Sequence, residues 1–206
     1  MRRCEISECK FANIYESNKW VYGSGVGSLP INNIDYISFL RMFMERNDIR
    51  TVVDFGCGDW QFSQYIGWET VTYTGFDVVR AVIERNQSLF ARDNISFHTF
   101  SSNTELPNAD LLICKDVFQH LSNRSIQILL RAFKERYRFL LITNDDRPAE
   151  HLTNTEIHDG DWRPIRLDRE PFFETAPIVL SWMVEWGSRK PTRKITSLIV
   201  GDLSSH

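Results

Sequence analysis

Four stretches of this chain hold residue types that could do chemistry together. The first is Asp54-Phe55-Gly56-Cys57-Gly58, an acid and two glycines ending the apolar run TVVDF. Glycine at such a turn lets backbone approach a ligand where a side chain would hold it off. The second is Asp77, which closes the run VTYTGFD 19 positions after Gly58. That is close to the ~20-residue offset at which a ribose-binding carboxylate follows a glycine turn. The third is Lys115, Asp116 and His120 in CKDVFQHL. His120 titrates near neutrality and suits a general base, Asp116 is the carboxylate alternative, and Lys115 can hold an anionic group. A packing or capping role for His120 stays open beside the chemical one. The fourth is TEIHDGDWRPIRLDREPF (Thr155–Phe172), where Trp162 and Arg163 are the candidates for substrate contact and solvated Arg–Asp pairs are the plainer alternative.

These residues need elements to bring them together, and the pattern supplies an order. Thr51–Phe55, Val71–Asp77, Ile95–Phe100, Ala109–Asp116 and Arg138–Asp145 read as strands, with helical spacing over Asp35–Arg46, Val78–Phe90 and Ser125–Tyr137. Alternation of this kind predicts a mostly parallel sheet with helices on both faces. Pro177–Trp186 and Arg193–Leu203 read as two closing strands joined by a loop over 187–192. In an open sheet of this class, ligands bind beyond the carboxyl ends of the strands, where the strand order reverses. Asp54, Gly56, Cys57, Gly58 and Asp77 all fall at that end.

Which nucleotide would sit there is narrowed by what the turn lacks. A dinucleotide fingerprint needs glycine at position 61, where the chain has Gln61, and no G-K-[ST] loop exists. The run VVDFGCGDW instead resembles the D-x-G-x-G motif of class I S-adenosylmethionine-dependent methyltransferases, and the resemblance extends through YTGFD to DLLICKDVFQHL. It implies a Rossmann-like α/β fold with a seven-stranded sheet and a C-terminal antiparallel hairpin, and S-adenosylmethionine as cofactor. It further implies that Gly56 and Gly58 flank the methionine part, Asp77 the ribose, and Lys115 or Asp116 the neighbourhood of the sulfonium. Trp60 stands where many members carry a third glycine. Ser101 and Ser102 stand where many carry an acid for the adenine amino group, so Ser101 takes that place here.

Two flanking segments complete the expectation of one domain over 1–206. Residues 1–48 form an N-terminal cap in which KWVYGSGVGSLP (Lys19–Pro30) reads as a lid, Trp20 and Tyr22 giving apolar cover to the cofactor and glycines giving hinges. A plain leader into the following helix is the other reading. Residues 147–176 form a polar insert on the substrate side; long irregular segments within a domain are usually functional.

Composition bounds the function. A formal net charge of -3 gives no global attraction to nucleic acid or anionic membranes. Cys4, Cys9, Cys57 and Cys114 show no zinc spacing, so no metal is expected. The start lacks an apolar signal core, and no apolar stretch approaches the ~18–20 residues of a membrane span, so a cytoplasmic protein is expected. The favoured function is methyl transfer to a hydroxyl, carboxyl or amine of a polar small molecule. Transfer to protein or RNA, and cofactor binding without catalysis, are the alternatives; oligomeric state is not legible.

Overall fold

The computed structural model describes residues 6–17, 22–147, 152–186 and 189–202. Its centre is a seven-stranded sheet built from β1 (Thr51–Phe55), β2 (Thr72–Asp77), β3 (Ile95–Thr99), β4 (Ala109–Lys115), β5 (Tyr137–Asp146), β6 (Ile178–Trp186) and β7 (Arg189–Val200). The strand order is β3-β2-β1-β4-β5-β7-β6. β1 to β5 are parallel, while β7 runs antiparallel to both β5 and β6. This is the Rossmann-like methyltransferase fold that the motifs imply.

Side chains of a strand alternate between faces, and β1 and β4 use both faces for core. Val52, Leu111 and Ile113 join one apolar cluster with Tyr36, Leu40 and Met44 of α2 (Ile34–Arg46) and Ile83 of α3 (Arg80–Phe90). Val53, Leu112 and Cys114 join the other, with Ile126, Leu130 and Phe133 of α4 (Asn123–Lys134). Buried strands of this kind read as continuous apolar runs, which is why TVVDF and ADLLICK stand out in the sequence. Tyr36, Leu40 and Met44 follow the i, i+4, i+8 spacing of a helix that buries one stripe.

Several boundaries differ from expectation for identifiable reasons. α4 begins at Asn123 because Ser122 caps it, its Oγ accepting from Ser125 N at 3.2 Å. It ends at Lys134 because Tyr137, expected as its last residue, already pairs with Ala109 as the first residue of β5. The last hairpin is tighter than a 187–192 loop: Trp186 pairs with Arg189 and Val184 with Thr192. An unexpected helix, α1 (Ile6–Glu16), precedes the glycine-rich segment. The insert has no helix or strand among its described residues, yet it is packed, with Ile165, Leu167 and Ala176 buried against the α4 face. Among the described residues no helix is long and apolar enough to cross a membrane.

β1 lies between β2 and β4, so the chain leaves it toward one side and returns on the other. That reversal opens a crevice at the carboxyl ends of β1 and β4, where the candidate residues were placed.

Candidate active site

The turn after β1 is held by its own backbone. Gly56 N and Cys57 N both donate to Phe76 O, at 2.8 and 2.9 Å. Gly56 and Gly58 have φ of +83° and +55°, the left-handed region where glycine carries no Cβ penalty. Glycine is also required by close neighbours within the chain. A Cβ at Gly56 would stand 2.2 Å from Val117 Cγ2, and one at Gly58 would stand 2.5 Å from Ser24 Oγ. The approach that these glycines permit is thus first of all that of the chain to itself.

Asp77 is joined to this turn. Its Oδ2 accepts from Gly58 N at 3.1 Å and its Oδ1 from Val79 N at 2.9 Å, while burial raises its pKa. Asp77 also lines the crevice, and a carboxylate has about four lone-pair sites, more than these bonds use. Deeper in, Asp54 accepts from Tyr73 OH at 2.7 Å. Burial pushes its pKa up to about 7 against the opposing effect of that hydrogen bond. A cation placed beside Asp54 would restore its charge.

These groups line one cavity of about 480 Å³ with Lys115, Asp116, His120, Phe76, Val78 and Phe100. The size falls in the ~300–1,000 Å³ range of small-molecule sites. Phe11 and Tyr15 of α1 and Ser24 and Ser28 form further walls. Ser24 fastens this cover to the turn: its Oγ meets Tyr15 OH at 2.6 Å and accepts from Asp59 N at 2.9 Å, and its N donates to Asp59 Oδ2 at 3.1 Å.

Beside the turn lies a buried ionic cluster. Asp116 receives Lys115 Nζ at 2.7 Å on one oxygen and Lys194 Nζ at 2.5 Å on the other. Lys194 also meets Asp145 at 2.5 Å. Burial alone would raise the Asp116 pKa, but the two lysines more than offset it and hold the group well below the usual carboxylate range. Burial likewise opposes the charge on Lys194, and Asp116 and Asp145 outweigh it and raise its pKa. Lys115, whose pKa burial lowers, also donates to Gly27 O at 3.0 Å. Asp116, expected as the alternative base, has both oxygens paired with lysines, and a carboxylate held ionised by two cations is a poor proton acceptor.

His120 is on the cavity wall, with the Phe11 ring edge-on at 6.2 Å. Its Nδ1 lies 2.8 Å from Asp161 O. A carbonyl oxygen only accepts, so Nδ1 carries the proton and the neutral ring presents its basic lone pair on Nε2. Burial lowers the ring's pKa, which keeps it neutral at pH 7.

Other expected residues lie elsewhere. Arg163 is 1% exposed and turned into the fold, bound to Phe118 O, Asn123 Oδ1 and Thr155 O. Trp162 packs under Arg147, 4.6 Å from its ring, and is not on the cavity wall. The insert reaches the cavity through Asp159 instead. Ser101 is exposed with its hydroxyl 3.1 Å from Thr104 Oγ1, and its neighbours Phe100 and Ser102 line the cavity. Tyr22 is 59% exposed and off the wall, although its carbonyl accepts from Gln61 Nε2. Trp20 lies outside the described residues. Sequence reasoning missed Phe11, Tyr15, Asp145 and Lys194, and ranked Asp159 of the insert below Trp162 and Arg163; the one available signal for the missed residues was the pair of acids closing the apolar run of β5.

No protein-family model matches the chain, and no curated protein matches it. Among solved structures it is similar to magnesium protoporphyrin IX methyltransferase from Synechocystis PCC 6803 with bound SAM. That match has a TM-score of 0.61 and 14% identity, and covers 96% of this chain and 99% of the other. It is also similar to the N-methyltransferase NodS from Bradyrhizobium japonicum WM9 in complex with S-adenosyl-L-homocysteine. There the TM-score is 0.61 and the identity 13%, over 93% of this chain and 95% of the other. At such identity the likeness is one of fold, and the fold is that of class I methyltransferases.

The cluster predicts a stability effect. Asp116→Ala leaves two buried lysines facing each other and should cost about 3–5 kcal/mol at pH 7, read by urea unfolding. Because the folded pKa is depressed, the contribution is present above the ordinary carboxylate value of about 3.9 and fades as pH falls through the folded one. The gap between variant and parent should therefore narrow only in strong acid. A loss below about 1 kcal/mol at pH 7 would contradict the cluster's role.

Proposed function

We propose that this chain transfers the methyl group of S-adenosylmethionine to a hydroxyl, carboxyl or amine of a polar small molecule. The observation that carries the reading is the Gly56–Gly58 turn with Asp77 at the edge of a covered cavity that has His120 on its wall. Its residues fit the cofactor's chemistry part by part. The lone pairs of Asp77 suit ribose hydroxyls. The Gly56, Cys57 and Gly58 backbone suits the methionine part. Asp54 suits its ammonium, and the third Lys115 donor its carboxylate. Phe100, Phe76 and Val78 offer apolar cover for adenine with Ser102 beside them, which moves that role one residue on from Ser101. α1 and the Ser24–Ser28 segment close over the cavity, which favours a small acceptor over a macromolecule.

The bound cofactor supplies an electrophilic methyl group on a sulfonium; the chain's part is positioning, exclusion of water and proton transfer. The apolar walls and the cover keep solvent from the reacting atoms. Lys115 and Asp116, fixed by their ion pairs, hold the floor rigid. His120 Nε2 accepts the acceptor's proton where that acceptor is a hydroxyl.

Incubation with methyl-labelled S-adenosylmethionine and pools of metabolites, peptides and RNA tests the function. Label should enter the small-molecule pool; label confined to peptide or RNA, or no transfer, would contradict the reading. With a hydroxyl acceptor, His120→Ala should lower turnover by ~10²–10⁴ with cofactor affinity nearly constant. Since burial lowers the His120 pKa, the parent's rate should hold at pH 7 and fall only below the ordinary histidine value of about 6.5. Near-parental turnover in the variant would exclude the role. Entry of the cofactor requires the cover to open, so hydrogen exchange over residues 22–30 should slow on adding S-adenosylhomocysteine. Equal exchange would reduce that segment to a static wall.

A further inference from the structure

The turn that carries His120 has its outward polar groups bound by a single stretch of the insert. Phe118 O accepts from the Arg163 guanidinium at 2.7 Å, Gln119 O from Arg163 N at 3.1 Å, and His120 O from Gly160 N at 2.7 Å. Ser122 N donates to Asp159 Oδ1 at 2.6 Å, and His120 Nδ1 donates to Asp161 O at 2.8 Å. The peptide oxygen that selects the histidine tautomer thus lies between two anchors, Gly160 and Arg163.

Arg163 is the stronger anchor and an expensive one. Its side chain is fully buried, and among the described residues no acid forms an ion pair with it. Glu156 and Asp159 favour its charge without touching it, so its place in the fold rests on its donors being well used. Here they are spent on Phe118 O, Asn123 Oδ1 at 2.9 Å and Thr155 O at 3.3 Å. All three acceptors belong to the segments that the His120 turn and the insert present to each other. The planar fork spans them at fixed angles, which a point-charge lysine would not do.

We infer that Arg163 is a positioning residue that holds the Asp161 carbonyl against His120 and so fixes the ring's Nδ1–H tautomer, leaving Nε2 as the base. This rests on His120 being the base of the proposed reaction, but its test reads the ring itself and involves no methyl transfer. Without the fork, the Phe118 carbonyl keeps only the bond from Leu121 N at 3.1 Å, and the 160–163 segment keeps only the Gly160 N and Arg163 N contacts to the turn. The Asp161 oxygen is then released from the ring, and the proton exchanges between both nitrogens.

Nitrogen NMR of the histidine rings in the full chain, with His120 assigned by a His120→Gln variant, decides the point. The parent should show the Nδ1–H pattern and a pKa below the ordinary value of about 6.5. Arg163→Met should show a mixture of tautomers and a pKa moved further down, because the Asp161 carbonyl that favours the protonated ring is lost. A folded Arg163→Met protein that keeps the parental tautomer and titration would overturn the inference, as would a parent lacking the Nδ1–H pattern. If Arg163→Met does not fold, Asn123→Ala, which removes one acceptor of the fork, should give a smaller shift in the same direction. No shift there would overturn it equally.

Discussion

The site depends on one buried electrostatic arrangement, the carboxylate of Asp116 held between Lys115 and Lys194 with Asp145 completing a neutral quartet. Taking four charges out of water costs several kcal/mol for each ion, and mutual attraction offsets it only with close geometry and equal numbers of each sign. Both conditions hold, and the consequence is spatial. The four side chains come from β4, the residue after it, β5 and β7, so their pairing ties the ends of β4 and β5 to the middle of β7. Asp116 itself takes φ of +62°, a left-handed conformation that an aspartate tolerates better than most residues. From that bend the chain turns through Val117, against Gly56, into the short helical turn that presents His120. The remaining reach of the cluster is upward, through Lys115 Nζ to Gly27 O, which ties the cover to the floor.

The strand order and the glycine turn were legible because each signal is local. TVVDF and ADLLICK are apolar on both faces because helices cover both, and Asp77 lies at a fixed distance from Gly58 because one crossover separates them. α1 was not legible for the converse reason. Of its described side chains only Ile14 is buried, so the stretch lacks the apolar stripe that marks a helix. Phe11 and Tyr15, which it brings to the cavity, were lost with it. Lys194 was hidden in another way. β7 runs between β5 and β6, so Lys194, Ile195, Thr196 and Ser197 are all buried and no alternation separates inward from outward. Its partner Asp145 lies directly opposite on β5, a pairing set by sheet topology.

The insert shows the limit of reading charge from sequence. Its arginines suggested contact with a ligand, and the fold instead uses Arg163 on the Phe118 carbonyl and the Asn123 amide oxygen, 45 and 40 residues earlier in the chain. An arginine's donors match a carbonyl as readily as a carboxylate, and only tertiary placement decides which is in reach. Arg166 is similarly spent, paired with Asp168 at 2.7 Å. What remains at the cavity from this segment is Asp159, whose carboxylate also accepts from the start of α4. The insert is thus a brace for the turn that carries His120 before it is a wall of the cavity.

The central claim is that the turn and Asp77 form the seat of a sulfur nucleoside, and calorimetry of the purified chain tests it most directly. S-adenosylmethionine and S-adenosylhomocysteine should bind while NAD and ATP do not, and Asp77→Ala should weaken binding by ~1.5–3 kcal/mol, the loss of hydrogen bonds to a charged group. No binding of either sulfur nucleoside by the parent, or unchanged affinity in a folded Asp77→Ala protein, would contradict it.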